Sequence, residues 1–380
     1  MKIAIIGGGP GGLTLARLLQ QKGVEVKVYE RDADRNVRIQ GGALDLHDDS
    51  GLAALRVAGL LDVFKAGYRP GADKMIIMDA DGNIYFDQHE EEDRYDFGDR
   101  HFRPEIDRGP LRDILLDSLI PGTVVWDSYI LSIAPAGAGW QINFASGDTA
   151  AADIVIGADG ANSRIRPHVT AATPVWAGVT MIEASVKHPE KTAPLINALL
   201  RGGKIFAYGD AKTLIVSGKG DGTLGFTLSF PSDEDWVSTS CPDLNDHLQV
   251  RDWFRQAFPE WGGIWQELLE ADDTIFIPRP QYCMPLDLHW EAKRNITLIG
   301  DAAHWMPPFA GEGVNMAMLD ALQLSESLMG RGAEDLQEAI GHYEAQMFRR
   351  FAEVGRMTME NTRWMHQPGA LEKMLEMFER

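Results

Sequence analysis

Three glycines near the N-terminus have the spacing that brings a peptide backbone close to a phosphate. The segment Gly7-x-Gly9-x-x-Gly12 lies between a short β-branched run, residues 2–6, and a stretch with apolar positions at helical spacing. Such a turn admits a pyrophosphate, and the helix behind it offers free N–H groups and a favourable dipole. Glu30 ends the next strand-like run, where its carboxylate can accept hydrogen bonds from ribose hydroxyls. The pattern predicts a dinucleotide site, NAD or FAD, with a ligand-free glycine turn as the alternative.

Two further acids stand where apolar runs end. Asp159 follows the run 153–158 and precedes a glycine and a basic segment that contains Arg164. Asp301 follows the run 296–300, and a Gly-Glu-Gly segment at 311–313 then leads into a helical stretch. Each motif alone is compatible with a structural turn. Their order and spacing, taken with the first glycine motif, indicate one nucleotide site assembled from separated segments.

Other chemistries lack a matching pattern. Gly218-x-Gly220-x-Gly222 lies between strand-like runs with no helix after it, so we expect no separate nicotinamide domain. The sequence shows neither a Ser–His–Asp arrangement nor the spacing of metal ligands, and we expect no metal site. His47 and His304 are interpreted as histidines that form hydrogen bonds within their loops, rather than as catalytic acids or bases.

The pattern of apolar residues predicts the elements that position these motifs. Residues 2–6, 13–21 and 24–30 form a strand, a helix and a strand, which together make a βαβ unit. The remaining predictions are helices at 51–66, 111–119, 244–271, 313–328 and most of 333–380, a hairpin at 73–88, three strands between 124 and 158, a β-rich stretch at 175–231, and a strand at 295–299.

The nucleotide motifs are separated by β-rich sequence, which predicts a cofactor domain with a second domain inserted into it. We assign residues 1–72, 101–174 and 274–330 to a Rossmann-like α/β cofactor domain. Residues 73–100 and 175–273 are assigned to a β-sheet substrate domain. Residues 331–380 are predicted to be a C-terminal helical segment that braces the two domains.

Composition excludes several classes of protein. The 380 residues include 36 Lys+Arg and 56 Asp+Glu, a formal net charge of -20, which disfavours binding to nucleic acid or to an anionic membrane surface. Only two cysteines occur, far apart, so we expect no disulfide framework and a cytoplasmic location. The apolar run at the N-terminus is too short for a signal peptide or a membrane span.

The three motifs together resemble those of the class A flavoprotein monooxygenases, aromatic hydroxylases with a GxGxxG, a DG and a GD motif. The resemblance covers essentially the whole chain and implies a doubly wound FAD domain of the glutathione-reductase type. Within this family the chain is most similar to the tetracycline-inactivating monooxygenases. The matching stretches are 5–10 (IIGGGP), 28–32 (VYERD), 41–47 (GGALDLH) and 300–311 (GDAAHWMPPFAG).

Carried over by position, the resemblance implies which residues hold the cofactors, FAD and the co-substrate NADPH. They are Gly7, Gly9 and Gly12 at the turn, Glu30 and Arg31 at the adenosine end of FAD, Asp45 and Arg112 along FAD, Asp301 at the ribityl chain, Arg38 toward NADPH, and Asp159 in the DG segment.

The resemblance also implies the reaction. NADPH, docking transiently, would reduce FAD, O2 would add to the flavin C4a to give a hydroperoxide, and an electron-rich substrate carbon would take the terminal oxygen. Pro307, Pro308 and Phe309 would form a dry wall beside the ring. Gly311 and Gly313 would precede a helix whose N-terminal amides stabilise negative charge on the reduced ring.

The substrate is expected between the flavin and residues 175–231, in contact with Phe309. Where the tetracycline-inactivating relatives have Gln, Arg and His, this chain has Glu183, Lys204 and Gly225. Tetracycline and another phenolic or polyketide compound therefore both remain open as substrates. So do a flavin oxidoreductase that inserts no oxygen and a protein that only sequesters small molecules. We expect a monomer.

Overall fold

The structure, a computed structural model, describes residues 1–37, 42–91, 95–272, 274–330 and 335–378. Arg38, expected to face NADPH, lies outside the described residues. The strands are β1 (Lys2–Ile6), β2 (Glu25–Tyr29), β3 (Ala43–Asp45), β4 (Met75–Asp79), β5 (Ile84–Asp87), β6 (Glu105–Asp107), β7 (Val124–Val125), β8 (Ile130–Ala136), β9 (Gly139–Phe144), β10 (Thr149–Ala152), β11 (Ile154–Gly157), β12 (Val175–Val186), β13 (Lys204–Gly209), β14 (Lys212–Gly218), β15 (Leu224–Pro231), β16 (Ile277–Cys283) and β17 (Ile296–Leu298).

The helices connect and flank these strands. They are α1 (Pro10–Gln21), α2 (Gly51–Val57), α3 (Leu61–Gly67), α4 (Arg108–Asp117), α5 (Pro189–Thr192), α6 (Pro194–Leu200), α7 (Trp236–Thr239), α8 (His247–Ala257), α9 (Asp301–His304), α10 (Gly313–Gly330), α11 (Leu336–Met365) and α12 (Ala370–Glu376). Short 3-10 helices cover Gln88–Glu90, Arg166–His168 and Gly263–Leu269. Among the described residues, none of the helices combines the length and apolar character that crossing a bilayer requires.

A five-stranded parallel sheet carries the three motifs at one edge. Its strand order is β17-β11-β1-β2-β7, and α1 packs against α10 beside it. The central strands are buried on both faces, as their continuous apolar runs predict for a parallel sheet. Ile6 pairs with Gly157, and Gly157 pairs with Leu298, so β1, β11 and β17 end side by side. The glycine turn, the DG segment and the GD segment therefore meet at the carboxyl ends of adjacent strands.

A seven-stranded sheet, ordered β16-β12-β15-β14-β13-β4-β5, forms the second layer. One of its faces packs on α6, α8 and the helix Gly263–Leu269 in an apolar core that includes Trp265. The sheet contains β4 and β5 as well as the four strands β12, β13, β14 and β15. Both segments assigned to the substrate domain therefore contribute to one sheet. β16 pairs with β12 in this sheet, although it falls in the range 274–330 that we assign to the cofactor domain. The domain boundaries stay a prediction.

The opposite face of this sheet carries polar side chains, and we call it the polar face. Strand pairing arranges it in three cross-strand rows, because residues two apart on a strand share a face. We call them the lysine row (Lys204, Ser217, Gly225, Ser185), the middle row (Phe206, Ile215, Thr227, Glu183) and the tyrosine row (Tyr208, Thr213, Ser229, Met181).

The 30-residue helix α11 contacts both sheets. Near its start, the Tyr343 hydroxyl donates to the Leu298 carbonyl at the end of β17. At its other end, the Met365 carbonyl accepts a hydrogen bond of 2.9 Å from the Thr213 hydroxyl in the tyrosine row. The helix fixes the position of the polar face relative to the parallel sheet.

Several elements differ from the sequence pattern, each for a local reason. The helix predicted at 51–66 is two helices, because Gly59 takes a φ of 71° between them. The three strands predicted between 124 and 158 are five. Asp127, with a φ of 51°, separates β7 from β8, and Asp153 turns aside between β10 and β11, where its carboxylate accepts from the Lys2 N–H. Prolines at 189 and 194 begin two helices inside the β-rich stretch.

Candidate active site

The glycine turn is packed so tightly that side chains are excluded at two of its three motif positions. A Cβ on Gly7, whose φ is 111°, would lie 2.2 Å from the Ala158 carbonyl oxygen. A Cβ on Gly12 would lie 2.2 Å from the Gly7 carbonyl oxygen. Gly9, the N-cap residue of α1, has no atom within 4 Å of its Cβ direction, and no side chain caps the helix. Open space and uncapped amides at Gly9 fit a phosphate group.

The buried carboxylate of Glu30 is hydrogen-bonded to the backbone of this turn. Its side chain is 2% exposed, and its two oxygens accept hydrogen bonds from the Gly8 N–H (2.6 Å) and the Asp32 N–H (3.1 Å). Each carboxylate oxygen has a second lone pair, so the group keeps capacity for ribose hydroxyls. Arg31, beside it, is exposed.

Arg112 is buried against the same turn, and its guanidinium group forms its hydrogen bonds with other groups of the protein. Its guanidinium donates to the Asp32 carboxylate (3.0 Å) and to the carbonyls of Arg35 (3.1 Å) and Gly8 (3.4 Å). It also lies over the ring of Trp126, 5.3 Å from the centroid. Arg112 therefore positions the backbone around the turn. A direct contact with FAD stays a prediction.

The two strand-end acids have different surroundings. Asp159 bonds within its own loop, accepting from the Ser163 hydroxyl (2.6 Å) and the Arg164 N–H (2.7 Å), and burial raises the pKa of its carboxyl. The Asp301 side chain is exposed and forms no hydrogen bond with a described residue, although His304, Arg108 and Arg166 interact electrostatically with its carboxylate. Asp301 is thus available to the hydroxyls of a ligand.

Buried Arg166 joins the DG and GD segments. Its guanidinium donates to the carbonyls of Ala161, Asp301 and Ala302 at 2.7–2.8 Å. Burial lowers the pKa of this group. Sequence reasoning missed Arg166 as a functional residue, although it follows the DG motif by only a few positions.

His304 is structural, but its partner lies outside its own loop. Its Nε2 is 2.6 Å from the carboxylate of Asp320, which is fully buried on α10. Asp320 also accepts from the Gly300 N–H (2.8 Å) and from the guanidinium of Arg350. Burial by itself raises the pKa of Asp320, but His304, Arg350 and the Gly300 N–H outweigh it and hold that pKa below its usual value. The network fixes the GD loop to α10 and α11.

Asp45 and His47 form a second charged network, on and just after β3. His47 Nε2 lies 3.0 Å from Asp45 Oδ2, and its Nδ1 lies 3.4 Å from Glu312 Oε1. Burial alone lowers the pKa of His47, but the two carboxylates outweigh it and raise that pKa to about 9. The Arg103 guanidinium contacts the His47 ring and also lies 3.8 Å from the Asp45 carboxylate, so His47 and Arg103 both face that carboxylate. The expected hydrogen bond within the loop is therefore only part of the role of His47.

Asn315 ties this network to α10 and was missed by sequence reasoning. Its side-chain oxygen accepts from the His47 N–H (2.9 Å), and its side-chain nitrogen donates to the Asp45 carbonyl (2.9 Å). Gly311 has a φ of 71°, and a Cβ built on it would lie 3.5 Å from Oδ1 of Asp45. The start of α10 and Asp45 therefore border the same part of the cleft.

The loop before α10 is anchored by the C-terminal helix. The Thr358 hydroxyl donates to the Pro307 carbonyl (2.8 Å), and the Asn361 side chain donates to the Phe309 carbonyl (3.0 Å). Pro307 is buried, Pro308 is exposed, and Phe309 packs edge-on against His366 with centroids 5.0 Å apart. The N-terminal amides of α10 begin at Gly313, in a first turn without acidic residues.

The polar face stands opposite this loop, and it carries the three positions at which the sequence departs from the tetracycline-inactivating relatives. Glu183 lies in the middle row and pairs with Arg279 across β12 and β16 at 3.0 Å. Lys204 lies in the lysine row and forms a salt bridge with buried Glu105. Gly225 lies in the same row. Phe309 approaches this face through His366, whose Nε2 lies 2.5 Å from the Ser229 hydroxyl in the tyrosine row.

Glu105 connects the polar face to the Asp45 network. It is 2% exposed, and burial raises the pKa of its carboxyl to about 7 although the Lys204 ammonium opposes this. The charge on Lys204 also helps to hold the pKa of Asp45 below its usual value. The lysine row therefore begins beside the residues that border the cofactor cleft.

A separate cavity of about 210 Å³ lies between the start of β12, the end of β15 and α11, and His366 and Thr362 line it. This volume is below the roughly 300 Å³ at which ligand pockets begin. We call the cleft the region where the strand-end motifs face the polar face. Lys204 contacts Glu105 there, and Gly311 lies beside Asp45. Within the described ranges, no cluster of His, Cys, Asp and Glu is placed to hold a metal ion.

Comparisons with known proteins agree with this geometry. The profile of a family described as "FAD binding domain" matches residues 1–97 and 289–350. A monooxygenase of Penicillium thymicola is 28% identical, covering 95% of this chain and 94% of its own. A 6-hydroxynicotinate 3-monooxygenase of Pseudomonas fluorescens is 28% identical, with 96% and 91% covered. Klebsiella pneumoniae HpxO, solved with FAD and uric acid, superposes with a TM-score of 0.77 at 22% identity, over 99% and 91%.

The fold is the α/β FAD-binding fold of the class A flavin monooxygenases, with a β-sheet layer and C-terminal helices. The fold and these relatives define a FAD-dependent monooxygenase, a hydroxylase of the single-component class A type, and enzymes of this class use NAD(P)H and O2. FAD is its cofactor, and the residues present fit it, with open space at Gly9 and an unengaged carboxylate on Asp301.

The likeness to tetracycline-inactivating enzymes is less specific than the sequence resemblance implies. The tetracycline destructase Tet(51) superposes with a TM-score of 0.72 at 20% identity, covering all of this chain and 95% of its own. HpxO reaches a higher TM-score, and the Pseudomonas fluorescens relative is named for 6-hydroxynicotinate. The resemblance is supported at the level of the monooxygenase class.

Proposed function

We propose that this enzyme hydroxylates a small aromatic substrate held in the cleft between the middle row and the loop 307–309. The proposal rests mainly on the side chains of the middle row. The middle row offers two apolar side chains, Phe206 and Ile215, followed by Thr227 and Glu183. All four are only partly buried, as expected for side chains that line a site. Phe206, Ile215 and Phe309 all pack against one apolar cluster that includes Met365 and Met374, and an aromatic ring would lie on the middle row beside it.

The role of each protein group follows from its position. When bound, FAD would accept electrons from NAD(P)H and activate O2, and this chemistry would transfer one oxygen atom to the substrate. Glu30 and Asp301 orient the cofactor through its hydroxyl groups. The N-terminal amides of α10 stabilise negative charge beside the ring. Pro307 and Phe309 keep water out of the cleft, and the rows of the polar face hold the substrate in one orientation.

Similarity supports a small aromatic compound as the substrate. One relative is named for 6-hydroxynicotinate, and HpxO was solved with uric acid, and both compounds are compact and heteroaromatic. Tetracycline is the second candidate, on the sequence resemblance. Glu183 and Lys204 are already engaged by Arg279 and Glu105, which counts against a set of contacts like that of the tetracycline-inactivating enzymes.

The test is product mass. Purified protein would be incubated with NADPH, or NADH, in air with 6-hydroxynicotinate, 3-amino-4-hydroxybenzoate, simple phenols and tetracyclines. We expect catalytic gain of one oxygen atom by a small aromatic compound. Gain of oxygen by a tetracycline alone would replace the proposed substrate class with the second candidate. Consumption of NADPH with no oxygenated product from any compound would contradict the proposal.

A further inference from the structure

A lysine from the turn between β14 and β15 folds back over the polar face. The Lys219 N–H donates to the Thr223 carbonyl (2.9 Å), which closes the turn. Its side chain reaches along the sheet, and its Nζ donates to the Ser185 hydroxyl at 3.2 Å. Ser185 belongs to the lysine row, so the ammonium group lies on the face that borders the substrate cleft.

Gly225 makes room for this lysine. A Cβ built on Gly225 would lie 3.1 Å from Lys219 Cε and 3.8 Å from Lys219 Nζ. It would also lie 3.6 Å from the Ser217 hydroxyl. The lysine chain therefore occupies the space into which a larger residue at 225 would extend. Lys219 can place its ammonium group here because residue 225 has no side chain.

The charges of the polar face are matched except at this position. Lys204 forms a salt bridge with Glu105, and Glu183 forms one with Arg279. Within the described part of the chain, Lys219 has a hydroxyl as its hydrogen-bond partner and no salt bridge. Asp221 is near enough to interact with it electrostatically, but its carboxylate accepts from the Thr223 N–H (3.0 Å) and hydroxyl (2.7 Å). The Lys219 cation lacks a matching anion.

We infer that Lys219 binds the carboxylate of an aromatic acid, with the Ser217 hydroxyl as a second donor. The Ser185 hydroxyl holds the lysine in place, because it accepts from Lys219 Nζ and donates to the Leu224 carbonyl (3.0 Å). The inference rests on the proposed function and specifies its substrate class. Neighbouring rows lie about 7 Å apart, because a strand rises about 3.4 Å per residue. That spacing is the scale of one aromatic ring with its carboxylate. A substrate bound to Lys219 in the lysine row therefore places its ring on the middle row beside Thr227 and Glu183, which follow Gly225 and precede Ser185 by two residues on their strands.

The test compares binding of acids with binding of their neutral amides. The probes are 6-hydroxynicotinate, 3-amino-4-hydroxybenzoate and 4-hydroxybenzoate, each with its carboxamide, and binding is read from the absorbance change of bound FAD without turnover. We expect the wild-type enzyme to bind at least one acid more tightly than its amide. Lys219→Met should weaken binding of that acid about ten- to hundredfold, the value of a charged hydrogen bond, and leave binding of the amide unchanged.

Two further variants separate charge from structure. Lys219→Arg keeps the charge and should retain most of the preference for the acid. Gly225→Ala leaves the lysine in the sequence but displaces it, and should reduce the preference in the same direction as Lys219→Met. Lys191→Met, an exposed lysine on α5, is the matched control and should behave as wild type.

Equal binding of acids and amides by the wild type would overturn the inference, as would an unchanged preference in Lys219→Met. Oxygen transfer to neutral phenols but to none of the aromatic acids would also overturn it, while leaving the proposed hydroxylation intact. The two proposals therefore fail by different measurements.

Discussion

The cofactor end of the cleft and the polar face opposite it are built by different means. At the cofactor end, backbone atoms meet backbone atoms, and a methyl group on Gly7 or Gly12 would lie 2.2 Å from a carbonyl oxygen. On the polar face, the lysine row and the middle row consist of partly buried residues on regular strands. We therefore expect almost no change of residue type to be tolerated at Gly7 and Gly12, and many changes to be tolerated on the polar face.

This difference explains where sequence resemblance carries function and where it does not. A glycine required by backbone contact predicts the same turn, and hence the same ligand group, wherever it occurs. A strand position that faces a cleft constrains only the direction of its side chain. The class of reaction follows from the first region, and the substrate depends on the second.

The largest expected effect comes from Gly12. Gly12→Val places its Cβ against the Gly7 carbonyl, so we expect loss of bound FAD and of soluble folded protein. Gly9→Ala should keep the fold but lose FAD, because its Cβ enters space that is open in the protein. FAD occupancy by absorbance and unfolding by circular dichroism distinguish the two results.

Gly263→Ala is the matched control, since its Cβ also meets nothing within 4 Å but lies away from the cleft. It should retain FAD and stability. If Gly9→Ala bound FAD as tightly as Gly263→Ala, the open space at Gly9 would not be a phosphate position.

The second-largest effect is expected from a substitution at Asp320. Asp320→Asn removes a fully buried charge that His304, Arg350 and the Gly300 N–H all contact. Breaking a buried charge network costs about 3–5 kcal/mol, and we expect a loss of that order in the free energy of unfolding. Urea titration at neutral pH measures it. Asp335→Asn, which alters an exposed N-cap on α11, is the control and should lose less than about 1 kcal/mol.

The parallel sheet and its motifs could be predicted because their signals are local. Continuous apolar runs ending in Gly or Asp mark β1, β11 and β17, and these strands do lie side by side. The break between β7 and β8 could not be predicted, since it depends on one residue, Asp127, in a left-handed conformation. The helices at Pro189 and Pro194 were missed because the surrounding residues read as strand.

The residues of the site that the sequence did not reveal act through distant contacts. Arg166 binds carbonyls some 135 residues away, and Asn315 binds the backbone at 45 and 47. Lys219 becomes a cleft residue only because Gly225 leaves space on the adjacent strand. No local pattern encodes such pairs, whose partners meet only once the sheets have formed.

His47 tests whether charges near the cofactor end stabilise the fold. Its pKa in the folded protein, about 9, exceeds the unfolded value of 6.5, so its contribution is complete below pH 6.5 and is lost as the pH rises through 9. We expect up to about 3 kcal/mol of stability to disappear over that window. His47→Gln should abolish this part of the pH dependence. A wild-type stability that is flat between pH 6.5 and 9.5 would contradict the network.

The smallest effect is expected on the polar face, at Glu183. Its salt bridge with Arg279 is exposed, with side chains 42% and 52% accessible, so Glu183→Gln should change stability by less than about 1 kcal/mol. Arg279→Met should do the same. For an aromatic acid, however, losing one negative charge at roughly 7 Å should lower KM about threefold in low salt. The neutral amide serves as the control. A change in Tm without a change in KM would mean that Glu183 supports the sheet and does not face the substrate.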